Sequence, residues 1–285
     1  MKINKYLLIF FTLINFSTAY AYGIHHRLPY RYVVVKEFSG PGERVISVGL
    51  KLIDIPKYRE QKQLLIYDEI LSHSITEPFG DHHGRSTNAH ETVHGINNVL
   101  RNHYTKTSKK KFNGFYAGSG KGILIEEPNI TMKHIISYIP KTVRGYRFEL
   151  YFEKQLADWN DTPTYPIDEW SAYIAGAECA VDDHINGKIE TQKADSVSGA
   201  LEFSIYCTAL AMAVKDHDVD YWMKNAQFKH AIKYFLIKSE KIFFEGHETF
   251  PSKAQDELLM HLRNHSDTSD LRRFLMDEFE GIFVD

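Results

Sequence analysis

The chain has 285 residues, 34 Lys and Arg against 37 Asp and Glu, a formal net charge of -3, 15 histidines and two cysteines. That near-balance argues against a nucleic-acid partner, and the single basic run, Lys109 to Lys111, reads as a solvated loop. Two cysteines are too few for a thiolate zinc site, and no internal repeat or low-complexity segment breaks the sequence.

The first element is an export leader. Met1 to Ala21 carries Lys2 and Lys5, an apolar stretch from Tyr6 to Phe16, and Ala19-Tyr20-Ala21 as a cleavage site after Ala21. Its apolar core is too short to span a bilayer, and no cysteine lies nearby to carry a lipid. No later run reads as long and apolar enough to cross a membrane. The expectation is a periplasmic or secreted protein without stable membrane insertion, in which 22–285 form one domain. Within it, a mixed subdomain of about 22–160 precedes a helical one of about 161–285.

After the leader, Tyr32 to Val35 reads as a strand, Ser39-Gly40-Pro41-Gly42 as a turn, and Gln63 to Leu71 as a mixed apolar segment. Asp81-His82-His83-Gly84 is a polar loop whose histidines are either ordinary loop residues or extra metal ligands. A helix is expected from about Thr87 to Tyr104, with Ser86, Thr87 and Asn88 as candidate N-caps. Winding it places Val93, Ile96 and Leu100 on one apolar stripe and His90, His94, Asn97 and Arg101 on a polar face. That polar face contains His90-Glu91-Thr92-Val93-His94, the H-E-x-x-H pattern. Imidazoles four apart share a helix face and can bind one cation, flanked by Glu91. A surface helix that happens to carry two histidines is the plain alternative. A di-iron carboxylate bundle would need a second E-x-x-H, which is not found.

His90-Glu91-Thr92-Val93-His94 resembles the active-site helix of the zincin metallopeptidases. The metzincin extension is absent, since Asn97 and Val99 to Arg101 supply neither its glycine nor its third histidine. The resemblance is therefore to gluzincin-like members, and it implies a glutamate ligand on a downstream helix. It implies zinc held by His90, His94 and that glutamate, with Glu91 as general base on a metal-activated water and a peptide or protein as substrate.

Beyond the key helix, Phe115 to Tyr116 and Gly122 to Ile125 flank Ala117-Gly118-Ser119-Gly120-Lys121 as a hairpin that is not a phosphate loop. Such a hairpin is either ordinary sheet or an edge for an extended substrate. Glu126 and Glu127 are weaker acidic candidates, and Tyr146 to Phe152 alternates like a strand. Pro166 suits a first helical turn and Asn186-Gly187 a stop, so a helix of about twenty residues is expected there. Glu169 is the third-ligand candidate. Tyr173, one turn on, is a candidate oxyanion stabiliser, as are Tyr165 or a histidine. Ala172 and Gly176 allow another helix close, while Glu178 faces the other way. First-turn acids are also favoured by the helix dipole without any metal. Glu202, in an otherwise apolar helix, is the rival: a ligand, an acceptor behind a ligating histidine, or half of a structural ion pair.

Helices are expected over 197–215, 221–244, 252–264 and 269–279, with Phe228, Ile232, Phe235 and Leu236 as a core stripe. Cys179 and Cys207, in consecutive helices, are either a disulfide or two small core residues. The expected fold is α+β: a small, mostly antiparallel sheet with the H-E-x-x-H helix in the first half, helices in the second, and a cleft between. The expected function is exported zinc-dependent peptide hydrolysis. The alternative is a non-catalytic exported binding or structural protein on a zincin-like scaffold.

Overall fold

The computed structural model describes residues 33–35, 38–39, 45–46, 49–78, 84–108, 110–188 and 195–284. The leader, Tyr32, His82, His83 and Lys109 lie outside the described residues. The architecture is α+β. Strands β1 (Val33–Val35), β2 (Phe38–Ser39), β3 (Val45–Ile46) and β4 (Leu50–Asp54) come first, then helices α1 (Ile66–Ser72) and α2 (Arg85–Ser108). The hairpin β5 (Phe112–Gly118) and β6 (Lys121–Glu126) follows, completing a four-stranded antiparallel sheet ordered β1-β4-β6-β5, with β2 and β3 paired separately.

The rest is helical: α3 (Met132–Ile136), α4 (Tyr146–Phe148), a π-helical turn (Glu149–Lys154), α5 (Leu156–Trp159), α6 (Tyr165–Ile185), α7 (Asp195–His217), α8 (Val219–Lys224), α9 (Ala226–Thr249), α10 (Lys253–Asn264) and α11 (Ser269–Phe279). The strand expected over Tyr146 to Phe152 is therefore helical. Phe148, Tyr151 and Phe152 are the buried apolar residues there, while Tyr146 is 72% exposed, and a spacing of three and four belongs to a helix. The helix expected over 221–244 is instead two. Asn225 separates them, its side-chain oxygen accepting from the Phe228 backbone N–H at 3.1 Å as the N-cap of α9.

Helix α6 organises the core because it is buried on nearly every side. Trp170, Ile174, Ala177 and Val181 enter the main apolar cluster with α7, α9 and the hairpin. Ala172, Ala175 and Cys179 join a smaller cluster with Ala89, Val93, Ile96 and Leu100 of α2. Each fully buried side chain of this size contributes about 1.5–3 kcal/mol of transfer free energy, so the α2 stripe holds that helix to α6. Ser86 is not an N-cap but lies inside α2, where its hydroxyl donates to the Gly176 carbonyl at 2.8 Å. Gly176 eases that approach, since a Cβ there would lie 3.1 Å from the Ser86 carbonyl oxygen and 3.2 Å from Ser196 Cβ, both tighter than ordinary contact.

Of the two readings of Cys179 and Cys207, small core residues is the one observed: both are free and buried, in different core clusters, one on the α2 side of α6 and the other within α7. One further expectation is corrected. Helix α7 is long and apolar enough to cross a membrane by length and composition, with a mean hydropathy of 1.5, but 89% of that window is buried inside the protein. It is the core helix.

Candidate metal centre

The α2 stripe fixes the rotation of the helix, and the polar face that remains points His90 and His94 toward the first two turns of α6. Their rings meet edge to face with centroids 4.7 Å apart, and their Nε2 atoms are 3.0 Å apart. Glu169 supplies the third atom: its Oε2 lies 3.7 Å from His90 Nε2 and 3.5 Å from His94 Nε2. The other oxygen, Oε1, accepts from the Tyr165 hydroxyl at 2.6 Å. Glu169 Oε2 is buried and makes no hydrogen bond.

This arrangement fits a small cation. Bonds of about 2.0–2.1 Å in a tetrahedral site place ligand atoms roughly 3.3 Å apart, and the three observed separations bracket that value. Two imidazole nitrogens and a carboxylate oxygen also suit zinc chemically. Among the described residues, these three side chains form the one cluster of His, Cys, Asp and Glu with metal-ligating spacing.

The electrostatics describe the same demand. Burial lowers the His90 imidazole to about 3, with the neighbouring His94 charge adding to the effect. Burial would also depress His94, but Glu169 and Asp168 outweigh it and hold that imidazole well above its ordinary range. Burial alone would raise Glu169, yet the His94 charge dominates and brings it to about 2. The three groups thus keep one positive charge among them, which a proton on His94 supplies when no metal does.

The residue that sequence reasoning missed is Asp168. Its Oδ1 accepts from His94 Nδ1 at 2.6 Å, which leaves Nε2 of the neutral ring as the lone-pair nitrogen facing the cluster. Asn97 Nδ2 donates to the same oxygen at 3.0 Å and to Ser171 Oγ at 2.9 Å, and Arg101 Nη1 reaches Asp168 Oδ2 at 3.4 Å. The polar face of α2 was visible in the sequence, but its last two members brace a carboxylate and do not face the ligands. Asp168 is adjacent to Glu169, and helical spacing alone did not say which of the two acids served which imidazole.

Glu91 is half-buried and makes no hydrogen bond to any described residue, and burial raises its carboxyl above the ordinary range. Tyr173 is beside His90, their rings 4.4 Å apart edge to face, and its hydroxyl lies 3.3 Å from that of Tyr151 in the π turn. Tyr165 is occupied with Glu169. Glu202 is not at the cluster. Its Oε2 accepts from Arg147 Nη1 at 2.8 Å and its Oε1 from the Tyr206 hydroxyl at 2.6 Å, so of its three readings the structural ion pair is the one observed. Glu178 turns away to Lys238, 2.8 Å from its Nζ. Glu127 accepts from the Thr164 hydroxyl and from Asn113 Nδ2, both at 2.7 Å, tying the hairpin to the start of α6. The β5 edge is occupied too, since the Tyr116 backbone N–H donates to Asn97 Oδ1 at 2.6 Å. Main-chain pairing of a substrate is blocked at that position. No protein-family model matches the sequence, and no curated protein or solved structure matches it.

Proposed function

We propose that this chain is an exported zinc metallopeptidase of the zincin kind, in which His90, His94 and Glu169 hold the metal and Glu91 is the general base. The observation that carries the reading is the convergence of three lone-pair atoms on one point, with Glu169 Oε2 buried and without a hydrogen-bond partner. A buried carboxylate needs positive charge beside it, and a metal ion would meet Glu169 Oε2 and both imidazole nitrogens at once, where a proton on His94 serves only one of the two rings.

Zinc in such a site supplies Lewis acidity, polarising a carbonyl and lowering the pKa of water towards about 7. Glu91 takes the proton from the attacking water and delivers it to the departing amine. Its carboxyl, raised by burial, is a stronger base than an exposed glutamate, which favours the first of these transfers. Asp168 holds the His94 ring in the ligating tautomer, and the Tyr165 hydroxyl fixes the rotation of the Glu169 carboxylate. The leader read at Met1 to Ala21 supports action outside the cytoplasm, on peptide or protein substrates.

The test is metal analysis of the purified protein together with a Glu91→Gln variant in a peptide-library assay. The variant keeps its zinc and loses hydrolysis by roughly 100-fold or more, because the amide retains size but not basicity. A wild-type protein that holds zinc and cleaves no peptide favours the non-catalytic binding protein instead.

A further inference from the structure

The two histidines are held by different means. His94 is oriented by a hydrogen bond, Nδ1 to Asp168 at 2.6 Å. His90 Nδ1 has no acceptor among the described residues; apart from His94, the ring it meets is Tyr173, edge-on with centroids 4.4 Å apart and planes at 70°. A ligating imidazole usually donates its second N–H to a carboxylate, a carbonyl or water, and that bond sets the ring's orientation. For His90, packing does this work.

Tyr173 is itself fixed on several sides. Phe203 of α7 stacks on it with centroids 5.2 Å apart. Gly199, also on α7, lies so close that a Cβ there would be 2.1 Å from Tyr173 Cδ1, so the helix approaches the ring only because the residue is glycine. The Arg147 guanidinium carbon sits 4.7 Å from the ring centroid. Arg147 is 4% exposed, an unusual depth for a cation, and α7 clamps it. Its Nη1 donates to Glu202 Oε2 at 2.8 Å, and its Nη2 contacts the Asp195 carboxylate at 2.6 Å and donates to the Asp195 carbonyl at 2.9 Å. The Arg147 backbone N–H donates to Glu202 Oε1 at 3.2 Å. A chain of contact therefore runs from the α7 carboxylates through Arg147 and Tyr173 to His90.

We propose that Tyr173 and Arg147 are positioning residues for the metal centre: the clamped guanidinium holds the Tyr173 ring against His90, and the ring face and edge, not the hydroxyl, fix that imidazole for ligation. The proposal rests on the metal reading above. It separates the two parts of tyrosine, because phenylalanine keeps the ring and loses only the hydroxyl. It also separates arginine from lysine, since an ammonium keeps the charge opposite Glu202 but cannot lie flat on an aromatic face.

The experiment is a cobalt titration of the full chain, read by visible absorption as a report on ligand geometry, with zinc affinity measured by chelator competition. Tyr173→Phe retains the wild-type spectrum and affinity. Tyr173→Leu loses affinity by about 10-fold to 100-fold, the size expected when a ligand's support is removed, and its spectrum changes. Arg147→Lys moves both in the same direction by less. Wild-type affinity and spectrum in Tyr173→Leu overturn the proposal while leaving the metal reading in place. A wild-type chain that takes up neither cobalt nor zinc overturns the metal reading and the proposal together. Nuclear magnetic resonance of the unmutated zinc-loaded protein gives a second measurement that needs no variant to fold. The His94 Nδ1 proton exchanges slowly behind Asp168 and the His90 Nδ1 proton rapidly; a protected His90 proton would reveal an acceptor and overturn the proposal.

Discussion

Helix α6 carries two buried polar clusters, and they differ in how their charges are balanced. On the α2 side are His90, His94 and Glu169. Nine residues further on, half a turn round the helix, Glu178 faces the other way and pairs with Lys238. Lys238 also donates to the Ala117 carbonyl at 3.2 Å, and nearby Tyr116 donates to Glu69, whose other oxygen lies 3.1 Å from His73 Nε2. In this second cluster a fixed ammonium, Lys238, balances Glu178. In the first, two ring nitrogens and a carboxylate oxygen converge on one point, and the balancing charge is a proton on His94, which a metal ion could replace. Burial and ion pairing are common to both sides. What sets the α2 side apart is three convergent lone-pair atoms whose shared positive charge is exchangeable.

The sharpest way to break that contrast is to remove Glu169, the proposed third ligand. Glu169→Gln loses zinc at chelator concentrations where Asp168→Asn still holds it, because losing a supporting carboxylate costs only about 10-fold to 100-fold. Glu202→Gln, away from the cluster, ranks behind both. A ranking in which Asp168→Asn is the most severe would make the orienting acid the true ligand.

A smaller effect is expected across the helix. Lys238→Met leaves Glu178 without its partner and destabilises the fold by about 1–3 kcal/mol, with zinc affinity unchanged; adding Glu178→Leu recovers most of the loss. Denaturant unfolding of the single and double variants checks this. The pair also has a pH signature. Burial lowers the Lys238 pKa, but Glu178 more than reverses that and leaves it raised above 10.5. A raised amine contributes stability that is complete below the unfolded value and lost as pH rises through the folded one, so on the alkaline side the gap between wild type and Lys238→Met closes as Lys238 loses its proton. A gap that persists in strong alkali contradicts the assignment.

The smallest effect is at the cysteines. With both thiols free, a reductant leaves the thermal midpoint where it was, whereas a disulfide worth about 2–4 kcal/mol would shift it by several degrees.

The parts of this site that could be read from sequence are those that depend on one helix at a time. The H-E-x-x-H face, the apolar stripe beneath it and the helix bearing Glu169 all follow from a 3.6-residue period with its capping residues. What could not be read depends on how helices dock. Asp168 and Glu169 differ by about 100° on one helix, and their division of labour is settled by where α2 lies. Cys179 and Cys207 occupy neighbouring helices yet face different cores. Glu202 kept three readings, ligand, acceptor behind a histidine or half of an ion pair, because its partner, Arg147, stood in a stretch read as a strand. There the alternation of Tyr146, Phe148, Leu150 and Phe152 concealed the helical spacing of Phe148, Tyr151 and Phe152.

That same stretch limits how the protein can change in length. The turn over Glu149–Lys154 is wound with five-residue hydrogen bonds, as the Gln155 N–H to Leu150 carbonyl contact at 3.1 Å illustrates. A π turn is an α-helix that has absorbed one additional residue. Tyr151 reaches Tyr173 from within it, and Arg147 is anchored just before it. Deleting a single residue here would rewind the turn as ordinary helix and swing Tyr151 by about 100° away from its partner. Surface loops accept gaps readily, but across this turn the residue count itself sets how Tyr151 meets Tyr173, the ring that packs on His90.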